Sequence, residues 1–331
     1  MKKLNLIIGL TLVFGLFLNT EVKAGEIGPF LGRWALHLPG GAGWLEVRQE
    51  NGYIDASLLW YGGSVVPVSG VYVSGGKLTV LRRTREEAFG DRKLQIPHIL
   101  EAEVNGDQLI GRFTEPKKDG SGAKVTLFAG NRIADLPAKP NLSSIKYDKP
   151  IKLLNGKDLT GWSLKESDKK SGWSVEKGVL SNKPVQPEGK HISYGNLRTV
   201  DTFEDFNLKL QVNIPEGSNS GVYLRGIYEV QVVDSYGKEV DSHNMGALYS
   251  RVTPSSANEK KPGEWQEMDI TLYKRHLTVK LNGTTIIDNH PVYGVTGGAM
   301  TADEFSPGPI YLQGDHGEVY YKEMVLTPIL E

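Results

Sequence analysis

The chain has 331 residues, with 38 Lys and Arg against 39 Asp and Glu, and no cysteine. So even a charge leaves no electrostatic footprint for nucleic acid, and the lack of cysteine excludes a disulfide framework, a thiolate metal site and a lipid-anchor cysteine. Glycine at 39 positions, set among Asn and Asp turns, points to β structure, because these residues supply the positive φ angles that tight hairpins need.

Residues 1–24 read as a secretory signal peptide. A basic "MKK" precedes the apolar run "LIIGLTLVFGLFL" and a small-residue ending "VKA" before Gly25. The run falls short of the roughly 20 apolar residues that span a bilayer. The mature chain is therefore expected to be soluble, periplasmic or secreted, with no membrane partner after cleavage. Losing Lys2, Lys3, Lys23 and Glu21 turns 38 basic and 39 acidic residues into 35 and 38, a charge near −3.

Residues 25–135 carry short alternating segments such as "GRWALHL", "GWLEVRQ", "YIDASLLWY" and "AKVTLFAG", separated by glycine-rich turns. About eight hairpin-connected strands predict a small antiparallel β-barrel or sandwich. No phosphate loop occurs here, since neither "GGAGW" nor "EAFGDRK" places a lysine after the last glycine at a helix start. The expected work of this unit is packing, or one wall of a substrate groove; Trp44 and Trp60 are expected in its core unless they contact glycan. Residues 136–149, with the boundary near Pro140, read as a linker.

Residues 150–331 alternate with period two through about twelve further segments, without an amphipathic helix of ten residues or more. This predicts an all-β chain whose second unit is a two-sheet jelly roll. "LNG" before "TTIID" is a type I′ hairpin signal. The long stretches "VDSYGKEVDSHNMGALYSRVTPSSANEKKPGEW" and "HPVYGVTGGAMTADEFSPG" exceed connector length and are expected to wall a groove over one sheet.

The second unit also resembles a known family. "LLNGKDLTGW", "WSVEKGVL", "SNSGVYLRG", "YEVQVVDS", "GALYS", "GEWQEMDI" and "PIYLQGDHGEVYYKEM" look like the 3-keto-disaccharide hydrolases. The resemblance spans roughly 150–329 and implies a concanavalin-like jelly roll acting on a carbohydrate already oxidised at C3 by a separate oxidoreductase. The ketone acidifies the C2 proton; its removal expels the group at C1, and water then adds.

Candidate residues follow from strand geometry. Glu229 and Gln231, two apart, share a face; Asp234 joins them only if a β-bulge intervenes. The spacing E-x-Q-x-x-D also resembles the E-x-D-x-x-E strand of retaining jelly-roll glycosidases, with an amide for the middle carboxylate and an aspartate for the last glutamate. Arg225 is expected beside Glu229, on the same face as Tyr223, as an ion-pair partner or a substrate holder. Asn219 begins that strand, and turn chemistry accounts for Gly221. His316, with Gln313 and Asp315 at a strand end, can exchange protons near neutrality. The catalytic candidates are thus Glu229, His316 and Asp234, with Arg225, Gln231, Asn219, Tyr249, Gln313 and Tyr236 as substrate contacts. His243, His191 and Tyr293 are further groove candidates, whereas His37, His98, His276 and His290 read as structural, and Trp162, Trp173 and Trp265 as core. Glu229, Asp234 and His316 also form a candidate ligand set for a divalent cation, because oxygen and imidazole suit Mn, Zn or Ca. No other cofactor is indicated. Two further readings stand beside the 3-keto enzyme: a retaining glycoside hydrolase on unoxidised glycans, and a non-catalytic carbohydrate-binding protein.

Overall fold

The computed structural model describes residues 26–84, 86–89, 91–188 and 192–330, so the expected signal peptide and His191 lie outside the described residues. Among those residues no helix is long and apolar enough to cross a membrane. The chain is all-β, a closed barrel followed by a two-sheet sandwich of jelly-roll type.

Eight strands close the barrel among the described residues, running from Gly32–Leu38 through Gly41–Glu50, Tyr53–Trp60, Val66–Ser74, Lys77–Arg82, His98–Asn105 and Gln108–Pro116 to Ala123–Arg132. Every pairing is antiparallel, and the last strand pairs with the first. An additional hairpin, Glu87–Phe89 with Arg92–Leu94, stands between two barrel strands. Trp34, Leu36, Leu45, Leu58, Leu78, Leu100 and Phe113 fill the interior. Trp60 stacks on Phe113 with ring centroids 4.1 Å apart, which makes it core.

The barrel is docked on the sandwich. Ala35, Ala42, Trp44 and Leu59, on its outer face, belong to the apolar core of the second unit. Trp44 is buried beneath the Arg251 guanidinium, 3.9 Å from its ring centroid, a cation–π contact that gains strength from desolvation.

The sandwich contains a nine-stranded and a five-stranded sheet among the described residues, slightly more strands than the period-two pattern predicts. The difference arises in the expected linker, where Lys146–Tyr147 pairs with the strand Val319–Leu330, and just beyond it, where Ile151–Lys152 does the same. The five-stranded sheet runs Trp162–Leu164, Leu197–Thr199, Tyr311–Leu312, Asn219–Leu224, Tyr228–Val233. Trp162 and Trp173 are buried, whereas Trp265 is only partly buried, under the Lys322 ammonium. Asn282 and Gly283 both take positive φ, 51° and 84°, as a type I′ turn demands.

Candidate active site

Strand alternation decides which side chains leave the core. On Tyr228–Val233, the side chains of Tyr228, Val230 and Val232 point into the sandwich, so Glu229 and Gln231 emerge on the opposite face. On Asn219–Leu224, Val222 and Leu224 point inward, while Asn219 and Tyr223 emerge. Tyr311 and Gln313 complete the row. Tyr223 stands opposite both Glu229 and Tyr311 in register and stacks on Tyr311 at 4.2 Å between centroids. Together these residues floor a cavity of about 310 Å³.

Gly221 makes room for the acid. A Cβ at that position would sit 2.2 Å from Glu229 Oε1, so the missing side chain serves the carboxyl, and the turn-chemistry expectation for Gly221 is corrected: it lies within the strand, opposite Gln231.

Loops of both units form the walls. Lys165, Glu166 and Lys169 follow the first strand of the sheet, and Asn196 precedes the second; Tyr249 and the pair Gly297–Gly298 come from the two long loops expected to wall a groove. The remaining wall, Gly62 and Gly63, belongs to the barrel. His316 and Asp315 sit on the turn 314–317, which is fixed from below. Asn182 Nδ2 donates to the carbonyls of Gly314 and Gly317 at 2.9 and 3.0 Å, and Gly314 N donates to Asn196 Oδ1 at 2.8 Å.

Burial and charge set the proton inventory. Glu229 is 3% exposed. Burial pushes its carboxyl up to about 8, the negative Asp315 adds to the rise, and a proton donated by Tyr223 would oppose it. At neutral pH it therefore carries a proton. His316 Nδ1 and Asp315 Oδ1 are 2.7 Å apart. That hydrogen bond raises the imidazole above its ordinary range, opposed by partial burial. Burial disfavours ionising Asp315, yet the His316 bond and charge outweigh it and hold the carboxyl low. With Nδ1 committed to Asp315, Nε2 is the nitrogen free to meet a ligand.

Of the cavity's lining, two buried amide oxygens, Asn219 Oδ1 and Gln313 Oε1, have no hydrogen-bond partner among the described residues. Buried polar groups in native proteins are nearly always paired, so these acceptors fit a ligand rich in hydroxyl donors. Gln231 Oε1 accepts from Val232 N at 3.2 Å, which leaves its NH₂ for the cavity.

Of the expected residues, Glu229, Gln231, Asn219, Tyr249, Gln313 and His316 share this cavity, and Asp234, Arg225 and Tyr236 are not among its lining. The pairing of Asn219–Leu224 with Tyr228–Val233 runs without a register shift from Leu224↔Tyr228 to Asn219↔Val233, so no bulge turns Asp234 round. Its carboxylate instead accepts from Gly217 N at 2.9 Å and Tyr236 N at 3.4 Å. Arg225 occupies the hairpin turn at φ 54°, and its guanidinium donates to the carbonyls of Glu304 and Ser306. Tyr223 takes the place opposite Glu229 instead. Tyr236 is 48% exposed.

The cation set of Glu229, Asp234 and His316 fails with Asp234. Among the described residues no group of three or more His, Asp and Glu side chains could hold a metal ion. His243 sits at the domain junction, 2.9 Å from Ser64 Oγ, and Tyr293 lies under the Arg33 guanidinium. Strand reasoning missed Tyr311, Lys165, Glu166, Lys169, Asn196, Gly62 and Gly63. Tyr311 was legible from the alternation of "PIYLQGD", but "LKESDKK" has the composition of any solvated loop.

The sequence matches the family of 3-keto-alpha-glucoside-1,2-lyase-like domains over residues 149–327. A curated relative, the 3-keto-disaccharide hydrolase of Bacteroides thetaiotaomicron, is 25% identical across 44% of this chain and 60% of its own length. This chain thus spans about 60% of that relative. Among solved structures, a Parabacteroides distasonis protein provisionally named a glycosyl hydrolase is similar at 24% identity and TM-score 0.43, over 54% of this chain and 92% of that one. A carbohydrate-binding module of Bacillus subtilis is similar at 12% identity and TM-score 0.34, over 51% of this chain and 95% of that one. With more than half of its length matched by the family, this chain belongs to the 3-keto-alpha-glucoside-1,2-lyase-like domain family.

Proposed function

We propose that the protein cleaves glycosides already oxidised at C3, using His316 as the base and Glu229 as the acid. One observation carries this reading. A single cavity holds a buried Glu229, whose carboxyl burial pushes toward the acid form, and a carboxylate-backed His316 among unpartnered amide oxygens. A carboxyl that burial keeps in its acid form beside an imidazole made more basic by a carboxylate is an ordinary means of running acid and base chemistry in one site.

The C3 ketone makes the C2 proton removable. Nε2 of His316 takes that proton, and the electron pair moves to form the enolate at C2, C3 and the C3 oxygen. The enolate then collapses and expels the oxygen at C1, which receives the Glu229 proton as the C1–O bond breaks. Water adds back across C1 and C2: its hydroxyl goes to C1, its other proton restores Glu229, and the proton held by His316 returns to C2. The net result is hydrolysis. Donors for the C3 oxygen are at hand in the Gln231 amide and the cationic Lys165 and Lys169, all of which line the cavity. The ketone itself must come from a separate oxidoreductase. With the signal-like start of the sequence, a periplasmic or secreted setting completes the proposal.

The retaining-glycosidase alternative loses its motivating strand, since Gln231 is an amide and Asp234 lies outside the cavity. The direct test compares a 3-keto disaccharide with its unoxidised parent. Release of the sugar from the keto substrate alone is expected, falling by about 10² or more in Glu229→Gln and His316→Ala. Turnover of the parent, or none of the keto sugar, would contradict the reading.

A further inference from the structure

Tyr223 Oη donates to the Gly297 carbonyl at 2.7 Å, and Tyr223 stands directly opposite Glu229 in the strand pair. A phenol has one proton. While that proton serves Gly297, the phenol oxygen can only accept from Glu229, which suits a protonated carboxyl and opposes an ionised one.

The position of Gly297 is set by the barrel. A Cβ on Gly297 would stand 2.0 Å from Gly63 O and 2.7 Å from Gly63 N, so the two backbones are in closest contact. Next to it, Gly298 N donates to Tyr61 O at 3.0 Å. The same barrel turn, 61–65, is tied to the other long loop: Ser64 Oγ meets His243 Nε2 at 2.9 Å, and Val65 N donates to Ser250 Oγ at 3.0 Å. Gly62 and Gly63 then face the cavity directly.

We propose that the barrel is a working part of the active site: its turn 61–65 fixes the Gly297 carbonyl, which takes the Tyr223 proton and leaves Tyr223 to hold Glu229 as the acid. Tyr223 and Gly63 are positioning residues in this arrangement. The inference rests on the role given to Glu229 above. The other titratable groups around Glu229 are Tyr311 beside Tyr223, Asp315 with His316 on the turn above, Tyr321 behind the sheet, and Lys165, Glu166, Lys169 and Tyr249 on the wall. None of them belongs to the barrel, although Tyr249 meets it at Ser64 Oγ, 3.5 Å away; a change made at the Gly63–Gly297 contact acts on Glu229 through Gly297 and Tyr223.

The test is Gly297→Ala, assayed on a 3-keto disaccharide across pH, with Glu229→Gln in parallel. The added methyl must push the barrel turn and the Gly297 carbonyl apart, which frees the Tyr223 proton to turn toward Glu229. The expected result is a fall in kcat of about tenfold, a KM within about threefold, and an alkaline limb of the kcat profile moved down by about one pH unit. Ser64→Ala, which loosens the same turn without adding volume, should move kcat and the limb in the same direction by less, and it decides the matter if Gly297→Ala fails to fold. Tyr223→Phe should not raise the limb; a rise would mean that the phenol donates to Glu229, against the proposal. If Glu229→Gln is inactive while folded Gly297→Ala keeps the parent kcat and pH profile, the barrel proposal fails and the reading of the site stands. If Glu229→Gln keeps full turnover, the reading of the site fails, and this inference with it.

Discussion

Tyr228 and Glu229 are adjacent on one strand, yet they lead to two buried glutamates with opposite surroundings. Tyr228 points inward and donates to Glu304 Oε2 at 2.8 Å. The same oxygen accepts from Gly294 N at 3.2 Å and Arg275 Nη2 at 3.4 Å, and Arg251 adds its charge nearby. Glu229 points outward into the cavity with a phenol beside it and no cation among the influences on its charge. Burial raises both carboxyls, but around Glu304 the arginines pull back, whereas around Glu229 the neighbouring Asp315 pushes further up. The Glu304 cluster joins loops and the domain junction, since Arg275 also reaches Ala134 O and Arg251 lies over Trp44. A buried acid encircled by cations is part of the scaffold. One left without them, open to a cavity, is a stored proton.

The contrast predicts graded effects of substitution. The largest effect is expected at the cavity. Glu229→Gln and Gly221→Ala should each lower kcat on a 3-keto disaccharide by about 10³, the second because its methyl would occupy the carboxyl's place, 2.2 Å from Oε1. Both should stay folded by circular dichroism, and a Gly221→Ala protein with parent kcat would show that Glu229 has no fixed position.

The second effect is on stability against pH. The folded protein favours neutral Glu229, so its carboxyl holds the proton more tightly than in the unfolded chain, where the ordinary value is 4.5. Stability from this source is complete below pH 4.5 and is lost as pH rises to about 8. Relative to Glu229→Gln, the parent should therefore lose about 1.4 kcal/mol per pH unit inside that window, a few kcal/mol in all, read by urea unfolding. A flat difference between the two proteins would remove the stored proton. Glu304 is common to both and drops out of the comparison.

At the scaffold acid the expectation reverses. Arg275→Ala leaves Glu304 buried without its salt-bridge partner and should cost about 3 kcal/mol of stability, while kcat at permissive temperature changes by less than about threefold. A large kcat loss with unchanged melting would place that cluster in the reaction. The smallest effect belongs to Asp234→Asn, because the carboxylate only accepts from exposed backbone amides. About 1 kcal/mol or less is expected, with kcat and KM near those of the parent; a catalytic defect would return Asp234 to the site.

Alternation alone exposed much of this molecule. The period-two segments located the barrel strands and the two sheets, and the spacing of Glu229 and Gln231 placed both on one face. The same rule would have excluded Asp234, had a bulge not been invoked to rescue it; the register is regular, and the residue goes to the turn. Arg225 misled for a related reason. "LRG" begins a turn at positive φ, and there a side chain no longer follows the strand's alternation. What the sequence could not display are contacts between distant segments: Gly221 leaving room for Glu229, Asn182 holding the His316 turn, and Gly63 against Gly297. Each is made by a residue of ordinary type whose meaning lies in what packs against it.

The most direct measurement is the titration of Glu229 itself, followed by ¹³C NMR of carboxyl-labelled glutamate in the parent protein, with Glu229→Gln supplying the assignment by the resonance it removes. One glutamate should stay protonated through neutral pH and titrate near 8, and that resonance should be missing from the variant. If the resonance removed by the substitution is already ionised at pH 5, Glu229 holds no proton to give at neutral pH, and the acid–base account of the cavity is wrong.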